Sequence, residues 1–175
     1  PLLSNVKKHY DINFSHYAVA MFHPVTTEYN NIKDQIKYFV DSLLESKENY
    51  IVIYPNNDIG SNEILEEYKR LEGNNKFKIY PSLKFEYFLT LLKNANYIIG
   101  NSSAGIREAP YYKIPTIDIG TRQRNRSSGE SIFHCDHDCK SIFNAITLSK
   151  DSKIENIEPT FGTGASDKML LKILD

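Results

Sequence analysis

The sequence predicts an α/β fold, with a doubly wound parallel sheet covered by helices on both faces. Three observations support this prediction. Short apolar segments alternate with longer segments whose apolar residues recur every three to four positions. The short segments are rich in β-branched and aromatic residues, which favour buried strands. Helices that join successive strands in this way produce right-handed crossovers and a parallel sheet.

The predicted elements follow one another in a regular order. Strands are predicted at residues 17–22, 50–54, 77–80, 97–99, 116–119 and 131–134. Helices are predicted at residues 32–44, 64–71 and 85–92, from Ile106 to near Pro110, around residues 142–146, and from Met169 onward. Ser61 is predicted to cap the second helix. We expect the whole chain, residues 1–175, to form one domain.

Composition excludes several classes of function. The formal net charge is −1, so no overall field attracts the chain to nucleic acid or to a membrane surface. No apolar run approaches the ~18 residues that a membrane span requires. The two cysteines argue against a disulfide framework and suit a reducing cytoplasm. We therefore expect a cytoplasmic protein that binds neither nucleic acid nor a membrane.

The segment 134–139 has a metal-like composition, since it contains two histidines and two cysteines. Four potential ligands within six residues lie too close together for the paired-hairpin geometry of zinc sites. Asp136 or Asp138 is better explained as the cap of the following helix. We therefore expect no metal site, and we expect no cofactor.

Polar side chains follow the predicted strands. Ligands of doubly wound sheets bind beyond the carboxyl ends of the strands, so these residues are candidates for a binding site. The candidates are His23 after the first strand, Asn56 after the second, Asn101–Gly105 after the fourth and Arg122 after the fifth. Because loops are polar in most proteins, a solvated surface is an equally good explanation of this convergence.

The Asn101–Gly105 segment is the most specific of these candidates. Its small residues allow a ligand to approach the backbone, and the free N–H groups of the helix that follows suit a phosphate. Ser102 and Ser103 add hydroxyl donors. The alternative is a simple serine cap of the helix. The spacing differs from that of a P-loop, because no Gly-Lys-Ser/Thr follows.

Three titratable or charged residues extend this hypothesis. Glu108 can accept hydrogen bonds from a ribose diol, or it can pair with a nearby cation such as Arg107. Arg122 can bind phosphate with two donors, or it can belong to a solvated basic loop in which Glu130 is a partner. His23 can serve as an acid, a base or a phosphate donor, or it can be structural.

Taken in order, five stretches resemble those of the hydrolysing UDP-N-acetylglucosamine 2-epimerases, a family that includes enzymes of sialic and legionaminic acid synthesis. The stretches are His23-Pro24-Val25-Thr26-Thr27, Tyr54-Pro55-Asn56-Asn57-Asp58-Ile59-Gly60-Ser61, Gly100-Asn101-Ser102-Ser103-Ala104-Gly105-Ile106-Arg107-Glu108, Ile119-Gly120-Thr121-Arg122-Gln123 and Gly129-Glu130. Phe161-Gly162-Thr163-Gly164 resembles the closing Gly-rich turn of the family. One such stretch is weak, whereas five in order with similar spacing are specific.

The resemblance implies a Rossmann-like domain that forms the C-terminal, nucleotide-binding half of a two-domain, GT-B-like enzyme. The N-terminal domain, which would lie across the substrate cleft, is then absent from this chain. The resemblance also implies that Ser102, Ser103 and Arg122 bind the diphosphate of UDP. It implies that Glu108 binds the ribose.

The remaining site residues are assigned by the same resemblance. His23 approaches the phosphate or the sugar, and it is the one candidate catalytic residue in this half. Asn56 lies by the nucleotide. The turn around Leu83 meets the uracil through backbone groups, by a looser alignment.

The implied reaction is elimination of UDP across C1–C2 of a UDP-sugar, followed by addition of water. The implied products are UDP and N-acetylmannosamine, or its analogue from diacetylbacillosamine. The carboxylates that the family uses for proton transfer lie in the first domain, and relatives commonly form homodimers. Two alternatives stay open, namely a GT-B glycosyltransferase and a non-enzymatic nucleotide-binding module.

Overall fold

Six parallel strands form one sheet in the computed structural model, which describes residues 1–126, 129–152 and 154–155. The strands are β1 (Ala18–Met21), β2 (Tyr50–Ile53), β3 (Phe77–Tyr80), β4 (Ile98–Gly100), β5 (Thr116–Ile119) and β6 (Ile132–Cys135). Their order across the sheet is β3-β2-β1-β4-β5-β6, and every neighbouring pair is parallel. This order confirms the predicted doubly wound fold and is that of Rossmann-like domains.

Helices occupy most of the connections between strands. They are α1 (Leu3–His9), α2 (Ile32–Ser46), α3 (Ser61–Tyr68), α4 (Phe85–Lys93), α5 (Ala104–Arg107) and α6 (Cys139–Asp151). Short segments of 3-10 helix occur at Thr26–Asn31, Lys69–Leu71 and Pro110–Tyr112. Within the described residues, none of these helices has the length and apolar character needed to cross a bilayer.

Two apolar layers cover the two faces of the sheet. One layer packs α2, α3 and α6 against side chains such as Ala20 and Val52. The other packs α1, α4 and α5 against side chains such as Val19 and Ile51. Successive strand residues therefore point into different layers, and both kinds are buried. Burial on both faces explains why the strands are continuous apolar runs in the sequence.

Neighbouring strands β1 and β4 mark the point where the strand order reverses. The chain leaves β1 for α2, which covers one face, and leaves β4 for α5, which covers the other. The two connections therefore diverge and leave a crevice at the carboxyl edge of the sheet. Ligands of doubly wound folds bind in this crevice.

The structure corrects the predicted elements in three places and confirms one predicted alternative. Helix α5 begins at Ala104, two residues before the predicted Ile106. Ser61 is the first residue of α3 and does not cap it, because Gly60 occupies the cap position with a left-handed φ of 102°. Asp138 caps α6 by accepting a hydrogen bond from the Ser141 N–H, as one of the two predicted alternatives. Helix α1 was not predicted, since Val6 is its only buried residue.

The predicted closing turn at residues 161–164 and the predicted helix from Met169 lie outside the described residues.

Gly100 makes the crevice geometry possible. It is the last residue of β4 and has a φ of 135°, which side-chain-bearing residues rarely adopt. A Cβ at this position would overlap the carbonyl oxygen of Met21 at the end of β1. The adjacent Asn101 N–H donates to this same oxygen over 3.1 Å. Only glycine allows β4 to turn this close to β1.

Replacing Gly100 with alanine tests this constraint. We expect Gly100→Ala to lower the free energy of unfolding by more than about 3 kcal/mol, because backbone strain and overlap with Met21 add. The matched control is Gly73→Ala, since Gly73 also has a positive φ, of 75°, but faces open space. We expect it to cost only about 1 kcal/mol. Urea denaturation followed by circular dichroism measures both, and equal losses would contradict the assigned role of Gly100.

Candidate functional site

Four of the residues predicted to form a site meet at the carboxyl edge of β1, β2, β4 and β5. His23 follows β1, Asn56 follows β2, Asn101 follows β4 and Arg122 follows β5. The Asn56 N–H donates to Nδ1 of His23 over 3.2 Å, and Asn101 bonds to both His23 and Arg122. The predicted convergence of these loops is therefore present in the structure.

The side chain of Asn101 joins the loops that follow β1 and β4. Its Oδ1 accepts the N–H of His23 over 2.7 Å, and its Nδ2 donates to the carbonyl of His23 over 2.8 Å. Asn101 is fully buried, so both halves of its amide are satisfied without water contact. Asn101 belongs to the motif recognised in the sequence, but its role was not predicted. The sequence feature that could have indicated this role is the position of a polar residue directly after a buried strand.

The serines that follow Asn101 present donors to the crevice. Ser102 Oγ accepts the N–H of Ala104 over 3.3 Å, while the Ser103 side chain caps nothing. In the described part of the chain, no acceptor bonds the backbone N–H of Ser102 or of Ser103. Helix α5 has only 4 residues, so its dipole is small. The free N–H groups and hydroxyls are what this segment offers to an anion.

Arg122 brings a fixed positive charge to the same place. Its Nη1 donates to the carbonyl of Asn101 over 3.0 Å, so the guanidinium lies beside the serine segment. Burial, followed by the charge of Arg126, lowers the pKa of Arg122 from its ordinary value. Among the described residues, no carboxylate forms an ion pair with it. A partly buried cation of this kind favours an anionic ligand.

Contacts on both sides of Arg122 hold its loop. The hydroxyl of Thr121 donates to the carboxylate of Glu28, which lies in the 3-10 turn after β1. The fully buried Gln123 donates from Nε2 to the carbonyl of Asn101 over 2.9 Å. Neither Glu28 nor Gln123 was assigned a role from the sequence. Their partners lie 93 and 22 residues away along the chain, respectively, so no local pattern reveals them.

Two other arginines lie in this loop, and one of them, Arg124, is already paired with a carboxylate. Arg124 forms an ion pair with Asp136 at 2.6 Å, beyond β6. Glu130, which the sequence suggested as a partner of the arginines, is exposed and forms no ion pair among the described residues. Arg122, by contrast, bonds to the Asn101 carbonyl and forms no ion pair among the described residues, although the charge of the nearby Asp58 acts on it.

His23 has a defined tautomer in this arrangement. Its Nδ1 accepts the Asn56 N–H, so the proton of a neutral ring lies on Nε2. Burial, followed by the charge of Arg122, lowers the pKa of His23 to about 4. The ring is thus neutral at physiological pH, and its Nε2–H is a donor for a ligand.

Glu108 and Leu83 lie outside this hydrogen-bonded group. Glu108 is half-buried just after α5, and burial raises its pKa. Leu83 is partly buried in the turn after β3 and packs on the apolar layer that contains Val19. Among the described residues, neither shares a hydrogen bond or an ion pair with His23 or Arg122. The Asn56 side chain donates to the Asp58 carboxylate at the outer rim.

The histidine- and cysteine-rich segment after β5 is not organised around one point. His134 bonds through Nδ1 to the buried carboxylate of Asp118 over 2.8 Å. His137 instead faces Glu28, with its Nε2 4.0 Å from the carboxylate. Within the described residues, no group of three or more His, Cys, Asp or Glu side chains has metal-binding geometry.

Comparisons with known proteins match almost the whole chain. A family model described as UDP-N-acetylglucosamine 2-epimerase matches residues 2–175. The UDP-N-acetylglucosamine 2-epimerase of Neisseria meningitidis is 49% identical over 164 residues, which cover 94% of this chain and 43% of that protein. The GDP/UDP-N,N'-diacetylbacillosamine 2-epimerase (hydrolyzing) of Campylobacter jejuni is 34% identical over 116 residues, covering 63% of this chain and 30% of that protein.

Solved structures share the fold. The UDP-GlcNAc 2-epimerase of Methanocaldococcus jannaschii, crystallised with UDP-GlcNAc and UDP, superposes with a TM-score of 0.78 at 22% identity. The superposition covers 97% of this chain and 48% of that protein. This chain therefore spans less than half the length of the relatives it matches.

The lowered pKa of His23 gives a direct test of the site geometry. We expect the imidazole of the free chain to titrate with a midpoint near 4 in NMR spectra, and Arg122→Ala to raise that midpoint because one cause of the shift is lost. Since the unfolded ring protonates near 6.5, stability should fall as pH drops from 6.5 towards 4. An ordinary midpoint in the wild type, or an unchanged one in Arg122→Ala, would contradict the arrangement.

Proposed function

This chain belongs to the UDP-N-acetylglucosamine 2-epimerase family, and we propose that it is the UDP-binding domain of a hydrolysing member. The observation that carries this proposal is the meeting of Arg122, Ser102 and Ser103 around the buried Asn101. This group offers a cation that forms no ion pair among the described residues, together with several free donors, at one edge of the sheet. A diphosphate, with two adjacent anionic groups, fits that chemistry.

The diphosphate is proposed to lie between the serine segment and the loop after β5. The N–H groups and hydroxyls of Ser102 and Ser103 donate from one side, and the guanidinium of Arg122 donates from the other. The Nε2–H of neutral His23 completes the set where the diphosphate meets the sugar. Each contact is charge-assisted on the phosphate side, which makes it stronger than a neutral hydrogen bond.

The nucleoside is proposed to extend away from this anion site. Glu108 accepts hydrogen bonds from the two ribose hydroxyls, for which its carboxylate has enough acceptor positions. Asn56 lies beside the nucleotide at the end of β2. The turn around Leu83 meets the uracil through its backbone, which can pair with the polar edge of a pyrimidine.

The proposed reaction breaks the C1–O bond of the UDP-sugar while a base removes the C2 proton, which gives UDP and a 2-acetamidoglucal. Water then adds across the new double bond to give the free 2-epimer, N-acetylmannosamine or its diacetylbacillosamine-derived analogue. The name of the Campylobacter jejuni relative includes the hydrolysing activity, which supports this course. Arg122 stabilises the charge that develops on the departing diphosphate.

Proton transfer at C2 is proposed to depend on a partner domain across the crevice. His23 is the candidate acid or base on this side, and its tautomer suits donation from Nε2. The other proton-transfer groups are proposed to lie in an N-terminal domain, in a cytoplasmic homodimeric enzyme of sialic acid-type sugar synthesis. The partial coverage of the relatives agrees with a two-domain enzyme.

Nucleotide titrations test the diphosphate assignment. We expect the 175-residue chain to bind UDP weakly, and Arg122→Ala to weaken binding roughly 10- to 100-fold, since a charged hydrogen-bonded contact is lost. Arg124→Ala is the matched control, because its charge is already paired with Asp136. Glu108→Gln should weaken UDP binding but leave pyrophosphate binding unchanged. Equal affinity of wild type and Arg122→Ala for both ligands would overturn the assignment.

Product analysis tests the reaction. We expect no turnover by the chain alone, and release of UDP plus the free 2-epimeric sugar when the chain is joined to its N-terminal domain. In D2O the product should carry deuterium at C2, because the C2–H bond breaks and re-forms. Turnover by the chain alone would refute the proposal that proton transfer at C2 depends on an N-terminal domain. A UDP-linked epimer would indicate a non-hydrolysing enzyme, and transfer of the sugar to an acceptor would indicate a glycosyltransferase.

A further inference from the structure

Gln123 is a fully buried polar residue inside a loop, and the proposed reaction gives it no task. Long polar side chains are rarely buried completely, because their amide groups must then find partners inside the protein. The Nε2 of Gln123 donates to the carbonyl of Asn101 over 2.9 Å. Its Oε1 accepts from Nη1 of Arg126 over 3.3 Å. The side chain is therefore inserted to reach one specific carbonyl on the neighbouring loop.

That carbonyl also accepts Nη1 of Arg122, at 3.0 Å. A carbonyl oxygen has two lone pairs, so it can accept both donors at once. Gln123 and Arg122 are consecutive residues, and the anchoring of one fixes the backbone from which the other extends. Thr121, on the opposite side of Arg122, is held by Glu28. Arg122 thus stands between two anchored neighbours.

We propose that Gln123 is a positioning residue that holds the guanidinium of Arg122 against the serine segment, in an inference that rests on the proposed UDP-binding function. It touches no part of the nucleotide. Its effect is to order Arg122 before the ligand arrives, so that binding does not have to immobilise a long flexible side chain. The amide N–H, rather than the size of the side chain, is the required feature, because the contact with the Asn101 carbonyl needs a donor at this position.

The test compares Gln123→Met, which keeps the length of the side chain but removes the donor, with wild type in the 175-residue chain. The first readout needs no ligand. We expect the ¹⁵N heteronuclear NOE of the Arg122 Nε–H group to fall in Gln123→Met, because the guanidinium becomes mobile. Tyr17→Phe is the matched control, since it removes a buried hydrogen bond to the Leu91 carbonyl at the other end of β1.

The second readout is the affinity for UDP in a double-mutant cycle. We expect Gln123→Met to weaken UDP binding about five- to tenfold. In the Arg122→Ala background the same change should alter the affinity less than about twofold, because Gln123 then has nothing left to position. Tyr17→Phe should leave both the NOE and the affinity unchanged. Gln123→Leu, which also has no donor, serves as a second variant if the methionine variant does not fold.

Two results would overturn the inference. One is an unchanged Arg122 NOE in both Gln123 variants. The other is an equal loss of UDP affinity whether or not Arg122 is present, which would mean that Gln123 acts through the general structure of the loop. If the wild-type chain binds no UDP at all, the proposed function fails, whereas the NOE comparison still decides whether Gln123 positions Arg122.

Discussion

The amide of Asn101 is the contact on which the rest of the crevice depends. It joins two segments that are 78 residues apart in the chain, by accepting from His23 and donating back to it. An aspartate lacks the donor, and an apolar residue of the same size would leave two backbone groups of His23 unpaired in a buried place. The backbone carbonyl of Asn101 also accepts hydrogen bonds from Arg122 and Gln123. A single residue therefore fixes the relative positions of the loops that follow β1, β4 and β5.

The positions of the charged side chains in the crevice follow from the way in which Asn101 joins these loops. Net charge is close to neutral for the whole chain, so no broad field draws anions towards it. The proposed selectivity for an anion is instead local, since Arg124 is neutralised by Asp136 while Arg122 forms no ion pair within the described part of the chain. Burial lowers the pKa of both Arg122 and His23, because desolvation disfavours their positively charged forms. An anion placed there relieves that cost.

Much of the fold and part of the site could be predicted from the sequence. The strands were found because burial on both faces makes them apolar throughout, and the loop positions followed because parallel strands end at one edge. Helix α1 was not predicted because only Val6 of its seven residues is buried, so its sequence shows almost no periodic pattern of apolar residues. The roles of Asn101, Gln123 and Glu28 were not predicted for another reason. A hydrogen-bond partner is chosen by tertiary geometry, and a polar residue in a loop looks the same in sequence whether it is buried or solvated.

The reversal of strand order between β1 and β4 also divides the proposed binding residues between two halves of the sheet. His23 and Asn56 belong to the half of the sheet built from β1 to β3, whereas Ser102, Ser103 and Arg122 belong to the half built from β4 to β6. The proposed set of nucleotide contacts is therefore complete only when the two halves associate, so that a bound nucleotide would report the cooperative folding of the entire sheet and would stabilise it by mass action.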